Sequence, residues 1–132
     1  QVHGDSVCIV EKAGVYDEHD AFVTNRPNVF VAVSVADCTP ILIHDPKTQA
    51  VAAVHAGWKG TMKQIVAKTL LQMTRHFGTC PADCFAYIGA CISECAFEVD
   101  TDVADHFDDR FKRFDTEKQK FLVDLKQANL VQ

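Results

Sequence analysis

Short apolar runs bounded by Gly, Pro, Asn and Asp fill the first half of the chain, and this pattern predicts β-strands. The predicted strands are Ser6–Glu11, Ala21–Thr24, Val29–Ala36, Pro40–His44 and Gln49–His55. The third of these runs is apolar and β-branched almost throughout. Such a composition is typical of a strand that is buried on both faces.

A tight turn joins the last two predicted strands. Asp45-Pro46-Lys47-Thr48 has Asp at the first turn position and Pro at the second, which is typical of a type I turn. If Asp45 pairs with Thr48, Cys38 lies opposite His55 and both side chains point to the same face of the sheet. A register different by one residue would place them on opposite faces.

Helical spacing of apolar residues begins after the last of these strands. Thr61 and Gln64 match a capping box, and Gly78 is a natural stop, so we predict one long helix between them. The remaining expected elements are a strand at Cys84–Ile88, an extended piece at Ala96–Val99, a helix over about Thr101–Phe111, and a segment from Lys120 that is first extended and then helical.

The composition is that of one globular domain. The chain has 132 residues, of which 48% are apolar and 23% charged, and this balance excludes a disordered chain. The net charge of −5 disfavours nucleic acid and anionic membranes as partners. The longest strictly apolar runs, Val29–Val33 among them, are far shorter than the ~20 residues of a membrane helix. The chain starts at Gln1 and ends within a helix-like pattern, so we expect a piece of a longer protein.

Six cysteines are many for this length, and they could form disulfides in a secreted domain or stay reduced in the cytoplasm. We favour a reduced, cytoplasmic chain because the apolar content suffices for a core and no export signal is visible. Structural zinc is a weaker alternative for four of the cysteines, whose spacing differs from the usual Cys-x2-Cys knuckle. These are Cys80, Cys84, Cys91 and Cys95.

Cys38 and His55 are the first candidates for chemistry. Side by side, a thiol and an imidazole could bind a metal, act as a nucleophile pair, or simply be a buried thiol and a hydrogen-bonded histidine. His3 could add a third metal ligand and leave a fourth position open for water or substrate, although it could equally be a surface residue. Asp37 could orient a ligand histidine or serve only as a turn residue.

The segment after His55 is a candidate anion site. Gly57, Lys59 and Gly60 lie where the predicted helix begins, and a helix N-terminus presents free N–H groups and positive partial charge. Lys59 would add a full positive charge there. Phosphate is a suitable ligand for such a site, and a plain strand-to-helix turn is the alternative.

Several segments together resemble successive motifs of the YfiH-like, or laccase-domain, family, once labelled multicopper polyphenol oxidases. The matching segments are Gln1–Gly4, Asp20–Thr24, Val35–Leu42, His55–Gly60, Ile88–Ile92 and Phe97–Val99. The Ala-Asp-Cys and His-Ala-Gly-Trp motifs in this order are highly specific together. The resemblance extends from Gln1 to about Leu125.

This resemblance implies an α+β fold with mixed sheets packed against helices. It implies zinc bound by His3, Cys38 and His55, the same three residues that also act in catalysis. The implied activity is phosphorolysis of adenosine, inosine and methylthioadenosine, with adenosine deamination as a second activity, and purine nucleosides and phosphate as partners. An older interpretation of the family is copper-dependent oxidation of phenols, but six histidines are few for a multicopper centre.

Two further functions stay open at this stage, a metal-free hydrolase that uses Cys38 and His55, and a non-catalytic binding module. The chain also departs from the family pattern. Lys59 stands where Arg is commoner, which keeps the charge but loses a bidentate fork, and Ala90 stands where Pro is common. Family members extend beyond both ends, so residues 1–132 are expected to be one laccase domain without its N-terminal and C-terminal parts.

We predict that all six cysteines carry free or metal-bound thiols. Thiol titration of the denatured protein, with a chelator and without reductant, should therefore detect six thiols per chain, because no export signal is visible and the apolar content suffices for a core without disulfides. A count of two or none would contradict the cytoplasmic assignment.

Overall fold

The computed structural model describes all of residues 1–132, which form two β-sheets and four α-helices. The strands are β1 (Val7–Ile9), β2 (Ala21–Thr24), β3 (Thr39–Asp45), β4 (Ala50–Ala56), β5 (Phe85–Ile88), β6 (Glu98–Val99), β7 (Lys112–Asp115) and β8 (Lys120–Val123). The helices are α1 (Trp58–Met62), α2 (Ile65–Phe77), α3 (Thr101–Ala104) and α4 (Leu125–Leu130). This arrangement confirms the α+β fold class.

The larger sheet is mixed and has the strand order β1-β2-β4-β3-β5. β1 runs parallel to β2, and the other neighbours are antiparallel. Alternate residues of β3 are buried because one face of the sheet packs against α2. Val23, Ile41, Val54, Ile65 and Met73 are among the fully buried side chains of this first core.

The smaller sheet is antiparallel, with the order β6-β8-β7, and it has its own core. Phe111, Val123 and Leu125 are buried there. Helix α1 contacts both cores, because it lies against β4 and α2 of the first while Trp58 packs against the second. Thr61 Oγ1 also accepts a hydrogen bond from Asn129 of α4 at 2.9 Å. The apolar interior is therefore divided into two clusters that α1 joins.

The β3–β4 hairpin has a longer loop than predicted. Asp45 pairs with Ala50, not with Thr48, and His55 lies opposite Pro40. The loop lengthens because Gln49 takes a left-handed conformation (φ 59°) while the Asp45 carboxylate accepts the Lys47 N–H at 2.9 Å. The predicted register is wrong by two residues, and a two-residue shift keeps every side chain on its predicted face.

The β7–β8 hairpin uses the same loop. Asp115 precedes it, Gln119 takes a left-handed conformation (φ 54°), and the Gln119 amide donates to the Thr116 carbonyl at 2.7 Å. Gln49 makes the same contact with the Pro46 carbonyl, also at 2.7 Å. The two hairpins therefore have the same loop structure. In each, an Asp side chain accepts backbone N–H groups of the turn, and a Gln in the left-handed conformation ends the loop.

The predicted long helix is two helices. Gln64 has a left-handed conformation (φ 59°) and separates α1 from α2. The predicted capping box is wrong because Thr61 lies inside α1, where its hydroxyl donates to the Gly57 carbonyl at 2.9 Å. The predicted stop at Gly78 is confirmed by its left-handed conformation (φ 73°).

The helix predicted over about Thr101–Phe111 is shorter in the structure. α3 ends at Ala104, and a separate 3-10 turn spans Asp109–Phe111. The chain starts this new turn because the Asp108 side chain accepts the Arg110 N–H. The strand and helix expected from Lys120 onwards are confirmed as β8 and α4.

Val29–Ala36, predicted as a buried strand, belongs to neither sheet. The segment lies at the surface, and Phe30 is 95% exposed. A β-branched run forms a strand only when its backbone finds a partner strand, and here none pairs with it. Leu42, Phe85 and Tyr87 are also exposed.

None of the helices is both long enough and apolar enough to cross a bilayer.

Asp45 makes the first hairpin sensitive to acid. Its side chain is buried, and hydrogen bonds from the Thr48 hydroxyl and the Lys47 N–H outweigh the effect of burial and lower its pKa to about 2. An unfolded Asp titrates near 3.9, so this carboxylate stabilises the fold above about pH 4, and that contribution disappears as the pH falls towards 2.

We predict that Asp45→Asn lowers the free energy of unfolding at pH 7, and that the difference from wild type shrinks between about pH 4 and pH 2. Urea unfolding at a series of pH values measures both effects. Asp115→Asn is the matched comparison: Asp115 occupies the same loop position, and the Lys118 N–H also lowers its pKa, but it is only half-buried, so we expect a smaller effect. If the free energies of unfolding of Asp45→Asn and wild type differ by the same amount at every pH in this range, the prediction is wrong.

Candidate metal centre

The three predicted ligands meet at the edge of the larger sheet where β3 begins and β4 ends. One donor atom from each of His3, Cys38 and His55 lies within 4.8 Å of the other two. Cys38 Sγ is 3.9 Å from His3 Nδ1, and the two imidazole rings meet edge to face at 4.8 Å between centroids. The structure therefore brings together residues that are separated by 35 and 17 positions along the chain.

Each ligand is positioned by a different element. His55 is buried in β4, where its backbone N–H donates to the Asp20 carbonyl at 2.7 Å. Cys38 immediately precedes β3 and is half-buried. His3 is exposed in the N-terminal loop and has a left-handed backbone (φ 54°), which is uncommon outside glycine. Burial decreases from His55 to His3, so the centre opens to solvent on the His3 side.

Asp20 is the functional residue that the sequence did not reveal. It is completely buried, and its Oδ1 lies 2.8 Å from His55 Nδ1. The carboxylate also accepts the backbone N–H groups of Val2, His3 and Gly4, the last at 2.7 Å. The sequence offers two weak signals, an acidic residue directly before a mostly apolar strand, which usually belongs to a turn, and its place in the Asp20–Thr24 segment of the family resemblance.

Of the two roles left open for Asp37, orienting a ligand histidine or serving as a turn residue, the structure shows no contact that would support the first. The carboxylate that contacts His55 is Asp20, and the exposed Asp37 side chain makes no hydrogen bond. Its effect is electrostatic, because the pKa of Cys38 is raised first by burial and then by the charges of Asp37 and Asp20. An activated cysteine nucleophile needs a lowered pKa, so this environment disfavours the metal-free hydrolase and favours a bound cation.

The pKa of Asp20 itself lies below its ordinary value. Burial alone raises it, but the hydrogen bonds from the Gly4 N–H, the His55 ring and the Val2 N–H together outweigh that effect. Asp20 is therefore ionised at neutral pH, and the centre contains a permanent negative charge behind its ligands.

The donor set and its spacing fit zinc. Thiolate and imidazole are common zinc ligands, and in a tetrahedral site a sulfur and a nitrogen ligand lie roughly 3.5 Å apart. The Sγ–Nδ1 distance of 3.9 Å is close to this value. A Cβ at Gly57 would lie 3.1 Å from Cys38 Sγ and 3.2 Å from His3 Nδ1, so the glycine keeps the space beside the donor atoms open.

No other group of three His, Cys, Asp or Glu side chains converges in the structure. The array of Cys80, Cys84, Cys91 and Cys95 therefore does not form a second ligand set, and all six cysteines have unpaired thiols. A multicopper centre would require further clusters of histidines. The geometry matches a single metal ion.

The candidate anion site differs from its prediction in shape. α1 starts at Trp58 and has only five residues, so it offers a single helical turn. A Cβ at Gly60 would lie 2.7 Å from the Gly4 carbonyl oxygen, which means that Gly60 lets α1 approach the His3 loop. Lys59 is exposed, its Nζ lies 5.4 Å from the centroid of the Trp58 ring, and it makes no ion pair.

Comparison with protein families matches residues 1–132 to the family described as multi-copper polyphenol oxidoreductase laccase. The chain belongs to this laccase-domain family. Its fold agrees with solved structures of YfiH from Bacillus licheniformis and YlmD from Geobacillus stearothermophilus. The TM-scores are 0.84 and 0.86, with 30% and 29% identity, over 98% and 100% of this chain and 54% and 55% of those chains.

The laccase-domain relatives also include curated proteins of a different name. A purine nucleoside phosphorylase from Bacteroides thetaiotaomicron is 41% identical over 119 residues, which cover 86% of this chain and 44% of the relative. The chain therefore spans about half the length of the relatives that it matches. The family description refers to copper, whereas the name of this relative refers to nucleosides.

Proposed function

We propose that His3, Cys38 and His55 bind one zinc ion, and that the protein uses this centre for phosphorolysis of purine nucleosides. The observation that carries the proposal is the convergence of a thiol and two imidazoles around an open side. The substrate class comes from the relatives named purine nucleoside phosphorylase, and the chain covers less than half of the first of them. Adenosine, inosine and methylthioadenosine are the proposed substrates.

The reaction needs an anion site and a means of stabilising charge. A phosphate oxygen forms a bond to C1′ of the pentose while the C1′–N9 bond breaks, and the purine leaves with a proton as pentose 1-phosphate forms. Lys59, a cation without an ion pair and four residues after His55, is the proposed phosphate contact. Its role is to hold the phosphate in line with the breaking bond.

Gly57 and Gly60 are proposed to complete the phosphate site because a glycine at each position lets α1 and the turn before it lie close to the ligand side chains and to the Gly4 carbonyl. When bound, zinc supplies Lewis-acid chemistry. We propose adenosine deamination, in which water replaces the amino group at C6 and ammonia leaves, as a second activity.

Copper-dependent oxidation of phenols is the second candidate, and the family description favours it. Against it stands the single three-ligand cluster, since multicopper oxidation uses several copper ions. Product analysis with inosine and phosphate separates phosphorolysis from phenol oxidation, because phosphorolysis yields hypoxanthine and ribose 1-phosphate without consuming oxygen.

We further propose a cytoplasmic location for the protein. Its proposed partners are purine nucleosides and phosphate, and neither nucleic acid nor a membrane is proposed as a partner.

We predict about one zinc per chain in the purified protein and its loss in Cys38→Ala, because the variant removes the only sulfur ligand of the cluster. Elemental analysis for zinc and copper is the measurement. Cys84→Ala is the matched control, since it removes a half-buried thiol of the four-cysteine array and should keep the metal. Zinc that stays in Cys38→Ala and is lost in Cys84→Ala would move the site to that array.

We predict that Lys59→Ala lowers the efficiency of phosphorolysis roughly ten- to a hundredfold, because a charge-assisted contact contributes ~1.5–3 kcal/mol. Zinc content should not change, since Lys59 is not a ligand, and deamination should be much less affected because it uses no phosphate. Hypoxanthine release at several phosphate concentrations, compared with adenosine deamination, measures both effects.

Lys126→Ala is the control for Lys59→Ala, because Lys126 is also exposed and lies in α4. This variant should leave both reactions unchanged. Equal losses of phosphorolysis and deamination in Lys59→Ala would mean that Lys59 supports the site generally, and the phosphate assignment would be wrong.

A further inference from the structure

Asp20 contacts both of the chain segments that carry a histidine ligand. These are the N-terminal loop, which carries His3, and β4, which carries His55. Asp20 Oδ1 meets His55 Nδ1 at 2.8 Å, and the same oxygen accepts the His3 N–H at 3.0 Å. Oδ2 accepts the Gly4 N–H at 2.7 Å. The N-terminal loop and β4 are distant in sequence, and this carboxylate joins them directly behind the ligands.

We propose that Asp20 is the positioning residue of the metal centre, and that its carboxylate sets both the ring nitrogen that His55 offers to the metal and the backbone conformation that presents His3. The inference deepens the proposed function, because it concerns the same three ligands. It makes the geometry of the centre depend on a residue that does not touch the metal.

The effect on His55 follows from hydrogen-bond chemistry. An ionised carboxylate can only accept, so the Nδ1 atom that faces Asp20 must carry the ring hydrogen. In the neutral imidazole the other nitrogen, Nε2, then keeps its lone pair and is free to bind a metal. An amide at position 20 could instead donate its N–H to Nδ1, which would move the ring hydrogen to Nε2 and block the donor atom.

The effect on His3 follows from the backbone. The left-handed conformation of His3 (φ 54°) turns the successive N–H groups of residues 2, 3 and 4 towards one point, and such a nest binds anions. Here the anion is the Asp20 carboxylate, which is completely buried. Without this anion the three N–H groups would have no shared acceptor, and the uncommon conformation of His3 would lose its support.

The first test reads the tautomer of His55 in the metal-free protein. Long-range proton–nitrogen correlation spectra of histidine side chains are recorded at pH 8, above the ordinary imidazole pKa of about 6.5. We expect the Nδ1–H form in wild type and a shift to the Nε2–H form in Asp20→Asn. Asp37→Asn is the charge-matched control, because Asp37 is near Cys38 but contacts no histidine, and it should resemble wild type.

The second test measures zinc affinity by competition with a chromophoric chelator. We expect Asp20→Asn to bind zinc roughly 10- to 100-fold more weakly than wild type, the range for loss of a carboxylate that supports a ligand histidine. Asp37→Asn should change the affinity much less than Asp20→Asn does, since it removes an exposed, solvent-screened charge beside Cys38 but no hydrogen bond to a ligand histidine. Urea unfolding of the three proteins shows whether the loss reflects the site or the whole fold.

The inference is overturned if wild type and Asp20→Asn show the same His55 tautomer, or if they bind zinc equally. If Asp20→Asn does not fold, the wild-type spectrum alone decides, because a dominant Nε2–H form of His55 would refute the inference. Failure of the proposed function looks different. A wild type that binds no zinc would remove the proposed metal, while a tautomer shift in Asp20→Asn would still support the positioning role of Asp20.

Discussion

The buried carboxylate of Asp20 is the interaction on which the rest of the metal centre depends. A charge that is removed from water must be met by several hydrogen-bond donors, and Asp20 has four N–H partners, three from the backbone of residues 2–4 and one from His55. Those partners belong to the N-terminal loop and to β4. The hydrogen bonds that satisfy this one buried charge therefore hold the N-terminal loop against β4, and they place His3 and His55 beside Cys38.

The second constraint is close packing around α1. Gly57 leaves room beside the donor atoms of Cys38 and His3, and Gly60 allows α1 to approach the Gly4 carbonyl. Trp58 lies between these glycines in sequence and packs against the second core. The short segment that follows His55 thus connects the metal centre with both clusters of buried side chains, and a shift of α1 would reach the ligands directly.

The electrostatics of the centre favour a cation over an activated thiol. Burial and two carboxylates raise the pKa of Cys38, which is the opposite of what a cysteine nucleophile needs. A divalent ion reverses that situation because it stabilises the thiolate and offsets the charges of Asp20 and Asp37. The single cluster of three ligands also explains why the copper chemistry in the family description is hard to reconcile with this chain.

The sequence by itself determined the features that depend on neighbours along the chain. Short apolar runs bounded by turn residues predicted most strands, and Asp45-Pro46 predicted the turn between β3 and β4. The two-residue period of a strand placed Cys38 and His55 on one face even though the register was wrong by two residues. Only the tertiary structure decided the position of His3, the role of Asp20 and the unpaired state of Val29–Ala36. The physical reason is that strand pairing and the neutralisation of a buried charge depend on partners that are distant in sequence, and local patterns contain no information about which partner the fold brings into contact.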